Sequence, residues 1–376
     1  MPRPLDEEMK LNRGQRPYRH SGATKKANGV GAVTSSAKMT STRYSYTALK
    51  LTACNIAGII FGIAAEKGKV YVPAVIRGQM LFRQFTMMKV FLSAVSAGSC
   101  CFVVLAALPQ TRKLFHCVQE DFASDVNGRQ ISAFLIGGGI LGVGMTLAGA
   151  CPGMVTLQVF TGMNNAWMVL AGCFLGAFLY GLVDPWVTAN MSYKTPKTSR
   201  EVWLHSRLGL PFIPTATTFA LMFGGATALV EYLYPWQNEA VVSGAIGYLS
   251  QSTWSPIVAG LLMGCMQIPV FPTSKKFYSG INNWWQVIFW AGAGLGAALS
   301  AYQSSSWGTL HNSTPLVCLV GGACMVFGAR FAQGCTSGHG LSGMALLSLP
   351  SFAAVCAMFA GGIGTSLLLQ SFHYEL

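Results

Sequence analysis

The segment Val326–Pro350 reads VFGARFAQGCTSGHGLSGMALLSLP and separates two long apolar runs near the end of the chain. It starts as an apolar helix, breaks at the polar, glycine-rich sequence Cys335–Gly340, and becomes apolar again before Pro350. Irregular polar backbone is unfavourable at membrane depth unless it faces protein or a water-filled cavity. The segment therefore predicts a membrane fold and marks the first place to look for function.

A second segment repeats this pattern in the first half of the chain. Ile140–Phe160 reads ILGVGMTLAGACPGMVTLQVF, in which a glycine-rich apolar helix leads to Cys151 and a Pro/Gly break. Cys151 and Cys335 are 184 residues apart (335 − 151), and two other residues match at that spacing: Gly144 with Gly328, and Ala148 with Ala332. Two broken helices at matching positions of duplicated halves are typical of a transporter's substrate site.

The composition indicates an integral membrane protein. Of the 376 residues, 52% are hydrophobic and only 10% are charged, with a mean hydropathy of +0.45. A soluble protein carries roughly 25% charged residues. Most of the eleven cysteines lie inside apolar runs, where free cysteine behaves as a small hydrophobic residue.

No cofactor is expected. The sequence contains no CxxC pair, and although Cys335 and His339 have the spacing of metal ligands, no second pair accompanies them. It also contains no GxxxxGK[ST] loop for a nucleotide.

The positive charge is concentrated at the N-terminus. The net charge is +13, and the first fifty residues hold ten of the twenty-five Lys and Arg. We predict that residues 1–45 form a disordered, basic, cytosolic tail. Nucleic-acid binding is not favoured, because the tail has no interleaved aromatic residues. Residues 46–376 form the predicted transmembrane transporter domain, with half-repeats at about 48–183 and 212–370.

The predicted fold is all-α, with about nine transmembrane helices, re-entrant half-helices and an inverted internal repeat. A span needs about 20 mostly apolar residues. Nine segments qualify: Ala48–Ala65, Thr86–Leu108, Ile131–Ala150, Met163–Val183, Phe212–Val230, Trp254–Phe271, Trp284–Gln303, Pro315–Gln333 and Pro350–Gln370. Glycine pairs four residues apart recur in them and predict close helix packing.

The loop charges predict the orientation. If the N-terminus is cytosolic, most inner loops carry Lys and Arg, as the positive-inside rule expects. Lys67, Lys69, Arg77 and Arg83 are exceptions, and we expect their loop to be re-entrant. Five crossings separate the two cysteine breaks, so the two copies should run in opposite directions through the bilayer. A plasma membrane is favoured over an organelle, since acidic residues 6–8 do not fit a transit peptide.

Each break is expected to present a helix N-terminus with unpaired N–H groups and about half a positive charge. Pro152 and Gly153 would begin the first segment, and Thr336 and Ser337 would cap the second. Gly338 belongs to the same loop. Such ends attract small anions, although re-entrant segments are also found as purely architectural elements. Both interpretations stay open at this point.

Several nearby polar residues also have two readings. Arg330 would offset the charge of a substrate or extend to the interface. His339 would donate to a substrate or satisfy loop carbonyls. Gln267, like Gln158 and Gln333, would line a path or join helices by hydrogen bonds. The two cysteines would act as neutral donors to a polarizable sulfur or, as thiolates, as nucleophiles.

These residues resemble the YeeE/YedE family of sulphur-transport membrane proteins. GARFAQGCTSGHGLSGMALLSLPS is similar to the family's C-terminal motif, and GMTLAGACPG to its first-half motif. The resemblance implies an inverted-repeat fold that takes up thiosulfate by passing the anion between thiols, with Cys151 and Cys335 as relay cysteines. The family has another cysteine after the first span, whereas Glu66–Tyr71 here contains none. Lys69 or Tyr71 would then meet the anion.

Three functions follow as hypotheses. The first is a permease for thiosulfate or a related small inorganic sulfur anion, embedded in the lipid bilayer. The second is a membrane binding or sensor subunit that does not transport. The third is a membrane sulfurtransferase, with Cys335 as persulfide carrier and His339 as helper. We expect a transporter rather than an enzyme, and the sequence carries no signal for an oligomeric state.

Overall fold

The computed structural model describes residues 51–126, 128–193, 199–239, 251–266, 268 and 284–372. All of them fall in one compact unit, Leu49–Leu376. The predicted basic tail of residues 1–45 and the candidate pathway residue Gln267 lie outside the described residues.

The described residues form helices and a few isolated bridges, without a strand among them. The first part of the chain contains α1 (51–67), α2 (Pro73–Met80), α3 (Thr86–Ala107), α4 (Arg112–Val126), α5 (Ile131–Ala148), α6 (Val155–Phe160) and α7 (Ala166–Met191). The second part contains α8 (Ser199–Val202), α9 (Leu204–Arg207), α10 (Phe212–Leu233), a 3₁₀ turn (Trp236–Asn238), α11 (Pro256–Cys265), α12 (Trp284–Gln303), α13 (Pro315–Phe331), a π-helical segment (Thr336–Gly343) and α14 (Leu349–Ser371).

Five helices are long and apolar enough to cross a membrane: α3, α5, α7, α10 and α14. A sixth span results if α13 and the π-helical segment, bent by 47°, are counted as one. A helix occurs in each of the nine predicted segments, but α11 has only ten residues. The all-helical membrane fold is therefore confirmed, and the count of nine spans stays a prediction.

The helices that lead into the two breaks, α5 and α13, pack against each other. A methyl group added at Gly137 would meet Ala332, and one added at Gly144 would meet Met325. Rising numbers in α5 thus face falling numbers in α13, so the two helices are antiparallel. Two further contacts mirror these at the spacing of 184 residues: Gly321 on Ala148, and Gly328 on Leu141.

Each half also packs its second long helix on the first helix of the other half. α14 packs on α5, and α7 packs on α13, whereas α5 and α7 touch only slightly. The halves are therefore interleaved, and neither buries its own broken helix alone.

The glycine pairs lie at close helix contacts, as the sequence predicted. A methyl group at any of these glycines would meet backbone of a neighbouring helix. The pairs are Gly58/Gly62, Gly138/Gly142, Gly172/Gly176, Gly260/Gly264 and Gly292/Gly296. Small residues at such positions let helix backbones approach closely in lipid.

The basic loop between α1 and α3 is partly buried inside the protein. Lys67 and Glu66 are fully buried and paired at 3.2 Å, and Lys69 contacts the same carboxylate at 2.6 Å. Arg77 lies in the short helix α2, which packs on α3, α5 and α14. These contacts explain why the loop is basic without reference to the side of the membrane, because buried charges are kept with partners.

Candidate functional site

The first break begins where α5 ends. Gly149 terminates the helix in the left-handed conformation, at a φ of +57°. A turn follows, in which the backbone N–H of Met154 donates to the carbonyl of Cys151 at 2.8 Å, and Cys151 itself is only 5% exposed. The helix after the break, α6, begins at Val155 and has six residues. The expected half-helix starting at Pro152 and Gly153 is therefore shorter and begins later, because a turn precedes it.

The second break is a π-helical segment of eight residues, rather than the expected capped α-helix. Cys335 is its N-cap and makes no side-chain capping bond. The expected capping by Thr336 and Ser337 is wrong, since both hydroxyls have other partners. Ser337 Oγ lies 3.0 Å from Cys335 Sγ, and Thr336 donates to the sulfurs of Met145 and Met358.

The two breaks meet at one internal cavity of about 50 Å³. Cys151 lines it directly, within hydrogen-bond reach of Thr336 and electrostatic range of Cys335. Cys335 adjoins the cavity through Ser337. The lining residues are mainly apolar or sulfur-containing: Phe61, Val70, Met87, Val90, Phe91, Ala94, Cys151, Gly153, Met154, Met263, Trp290, Thr336, Ser337 and Leu341.

The cavity offers soft rather than ionic contacts. None of the described residues that line it carries a charge. A fully charged oxyanion is costly to bury in such surroundings without hydrogen bonds. Thiols, hydroxyls and thioether sulfurs are weak, polarizable partners that suit a large sulfur atom better than a hard oxygen.

Side chains from elsewhere in the chain close the carbonyl ends at both breaks. Asn312 Nδ2 donates to the Ala148 carbonyl at 2.7 Å, and His339 Nε2 donates to the matching Ala332 carbonyl at 2.8 Å. Arg77 adds bonds to the carbonyls of Thr146 and Leu147, at 3.0 and 2.9 Å. These orphan carbonyls would otherwise be costly in a buried helix end.

His339 is the second of its two readings, a residue that satisfies the loop. Its ring is 3% exposed, and its other nitrogen, Nδ1, lies 3.1 Å from Ser351 Oγ. Both ring nitrogens are engaged, so neither is free in this conformation to take a proton from Cys335.

The other predicted site residues are dispersed. Arg330 is exposed on the last turn of α13 and does not line the cavity. Gly338 has open space beside it. Gln158, fully buried, ties the Tyr71 and Gly149 carbonyls together at 2.8 and 2.9 Å, as its helix-joining reading expected.

The segment that lacks the family's early cysteine is also anchored. Tyr71 is fully buried in the core, and Lys69 is paired with Glu66. Ser300 and Ser306 complete the hydrogen bonds of that carboxylate, at 2.8 and 3.3 Å. Neither Tyr71 nor Lys69 lines the cysteine cavity.

A larger cavity of about 330 Å³ lies elsewhere, at the first residues of α5 and α14. Arg129, Tyr193, Glu201 and Arg207 are among its walls, and it contains neither cysteine of the breaks. We take the smaller cavity as the site, because the chemistry that sequence and structure share is there.

Sequence reasoning missed the residues that frame this site. Arg77, Asn312, Phe91 and Trp290 lie far from the cysteines along the chain and belong to no motif. A lone Arg after a span and an Asn before one were the available signals.

Helices of membrane length and two broken helices around an internal cavity define a multi-pass integral membrane protein of the transporter kind. The chain belongs to the Sulphur transport family, whose model matches residues 67–284 and 277–364. It is 26% identical over 323 residues to the thiosulfate transporter TsuA of Spirochaeta thermophila, across 80% of this chain and 93% of that protein. The resemblance drawn from the sequence motifs is confirmed.

Proposed function

We propose that the protein is a permease that takes up thiosulfate, or a related small sulfur-containing anion, through the cavity between the two cysteine breaks. The observation that carries the proposal is the meeting of Cys151 and Cys335, from opposite halves of the chain, at one buried site. The relative TsuA, named a thiosulfate transporter, supports the choice of substrate.

The substrate would be recognised through its sulfur. The outer sulfur of thiosulfate is large and polarizable, so it accepts weak S–H and O–H contacts and fits among thioethers at a smaller dehydration cost than an oxygen does. The anion would pass from one thiol to the other without a covalent step. Tyr71 occupies the early position as a buried structural residue, so the proposed relay has two thiols.

An inverted repeat with nine spans is part of this proposal. The antiparallel packing of α5 on α13 and its reciprocal glycine contacts support it. So does the matching start of these helices, at Ile131 and Pro315, which are separated by the same 184 residues as the cysteines. We further propose a plasma-membrane location with a cytosolic N-terminus.

Uptake of labelled thiosulfate into membrane vesicles tests the proposal. Cys151→Ala and Cys335→Ala should abolish uptake, whereas Cys356→Ala, an exposed thiol on α14, should not change it. Sulfate and sulfite run in parallel would measure selectivity for the outer sulfur. Equal uptake by the parent and both site variants would exclude the thiol relay.

The other two hypotheses give different results in the same system. Saturable thiosulfate binding without flux in the parent would indicate a binding subunit. A persulfide mass increment on Cys335 during turnover would indicate a sulfurtransferase. With both nitrogens of His339 hydrogen-bonded in place, we expect Cys335 to stay unmodified during uptake.

A further inference from the structure

Two aromatic rings lie directly on the two breaks, and they do so reciprocally. Trp290 of α12 covers Gly153 in the first break, where an added methyl group would lie 2.7 Å from its ring. Phe91 of α3 covers Gly340 in the second break, with the corresponding distance 2.5 Å. Each half of the chain therefore supplies the ring that covers the other half's break.

Both rings also line the cysteine cavity. They stand near the start of their helices, at the sixth position of α3 and the seventh of α12. The glycines beneath them have no side chain, so each ring rests against bare backbone and fills the space a side chain would otherwise take. The cavity is consequently closed by rings on two sides.

The rings are held by neighbours that permit rotation. Phe91 meets Phe359 edge-on, with centroids 6.1 Å apart. Trp290 meets Phe61 and Phe289 edge-on, at 5.9 and 5.4 Å. Neither Phe91 nor Trp290 is fully buried. The α5–α13 contacts, by contrast, are backbone against glycine and cannot yield without separating the helices.

The cavity is small for anything beyond a compact anion. A single water needs roughly 10–15 Å³ of such space, so about 50 Å³ accommodates a few waters or one small polyatomic ion. An ion with an organic substituent would require one ring to move further than passage of the bare ion does.

We propose that Trp290 and Phe91 are the two gates of this cavity and that they set the largest sulfur anion the protein passes. The proposal rests on the proposed permease function and adds the residues that determine its size selectivity. Each ring turns aside to admit or release the anion, while the helices around the breaks stay in place.

Uptake of S-methyl and S-benzyl thiosulfate tests this, because the two anions share a charge and a reactive group and differ in size. The parent should take up far less of the benzyl compound. Trp290→Ala and Phe91→Ala should each raise the benzyl-to-methyl uptake ratio by about tenfold, the usual scale of size discrimination in an apolar pocket.

Two matched controls remove aromatic rings from the lipid-facing side of α7. Trp167 and Phe174 are 67% and 71% exposed, so Trp167→Ala and Phe174→Ala should leave the ratio unchanged. If the alanine variants are unstable, Trp290→Phe and Phe91→Leu should raise the ratio less but in the same direction. An unchanged ratio in every gate variant would overturn the proposal.

A second readout is independent of transport. The rate of alkylation of Cys151 by iodoacetamide, followed by peptide mass analysis, reports access to the cavity. It should rise when either ring is removed and not in the α7 controls. If the parent shows no thiosulfate uptake, the permease function fails, and the alkylation rates alone decide whether the rings close the cavity.

Discussion

At the scale of single residues, His339 connects the second break to the rest of the bundle. Its ring joins the end of α13, through the Ala332 carbonyl, to the start of α14, through Ser351. Ser351 Oγ lies 3.1 Å from Ser348 Oγ, so the chain of bonds extends to the residue that caps α14. Phe134 of α5 meets the ring edge-on at 5.6 Å. The π-helical segment is thus fixed at its middle.

Replacing His339 should therefore affect stability as well as transport. His339→Ala leaves the buried Ala332 carbonyl without its donor, which should destabilise the protein by roughly 1–3 kcal/mol. His339→Gln keeps an N–H donor of similar reach and should be closer to the parent. Thermal unfolding of the protein in detergent measures the difference.

The control for this comparison is His311→Ala, because His311 is exposed before α13. It should unfold at the parent's temperature. The structural role would be refuted if His339→Ala and His311→Ala were equally stable. A sulfurtransferase role for His339 would instead predict a stable but inactive Gln variant.

At the scale of helices, the contact between α5 and α13 holds the breaks in register. Gly144 and Gly328 each face backbone of the opposite helix, and they are equivalent positions of the two halves. Because the contact is backbone against backbone, the helices have no flexible side chain there that could move to accept a new group.

Gly144→Ala and Gly328→Ala should therefore destabilise the protein by similar amounts, roughly 1–3 kcal/mol each, as overpacking usually does. Gly139→Ala is the matched control, since a methyl group at Gly139 would meet nothing within 4 Å. Unfolding midpoints of the three variants in detergent test this. A large difference between the two break-helix variants would argue against an equivalent environment in the two halves.

The helices were readable from the sequence because hydropathy decides them in lipid. The breaks were readable as well, since Cys, Pro and Gly interrupt apolar runs at Cys151 and Cys335. Their local shape was not. Thr336 has the chemistry of an N-cap, but two methionine sulfurs, Met145 and Met358, lie closer to its hydroxyl than any unpaired N–H does to serve as its partner.

The frame of the site was beyond sequence reasoning for a different reason. Asn312 and Ala148 are 164 residues apart, and Arg77 and Leu147 are 70 apart. Nothing in their local sequence indicates which buried carbonyl each will meet. Only the interleaving of the halves brings such residues together, and that depends on the whole set of helix contacts.

At the scale of the whole molecule, the number of crossings determines where the two ends of the chain lie. Nine crossings place the termini on opposite sides of the membrane, whereas an even number places them on the same side. The loop charges count toward a cytosolic N-terminus, and the pairing of Lys67 and Lys69 with Glu66 and the carbonyl contacts of Arg77 account for the loop that departs from the rule.

Single-cysteine labelling in intact cells tests this arrangement directly. Glu201 and Thr309 are both exposed, on connections that the predicted topology assigns to opposite sides. In a background with Cys100, Cys265 and Cys356 replaced by serine, Thr309→Cys should react with an impermeant maleimide from outside. Glu201→Cys should react only after the cells are opened. A reporter fused to residue 376 should follow Thr309, because nine crossings leave the C-terminus outside. If that reporter followed Glu201 instead, the number of crossings would be even, and the two cysteine breaks would have to be reassigned to spans of a different count.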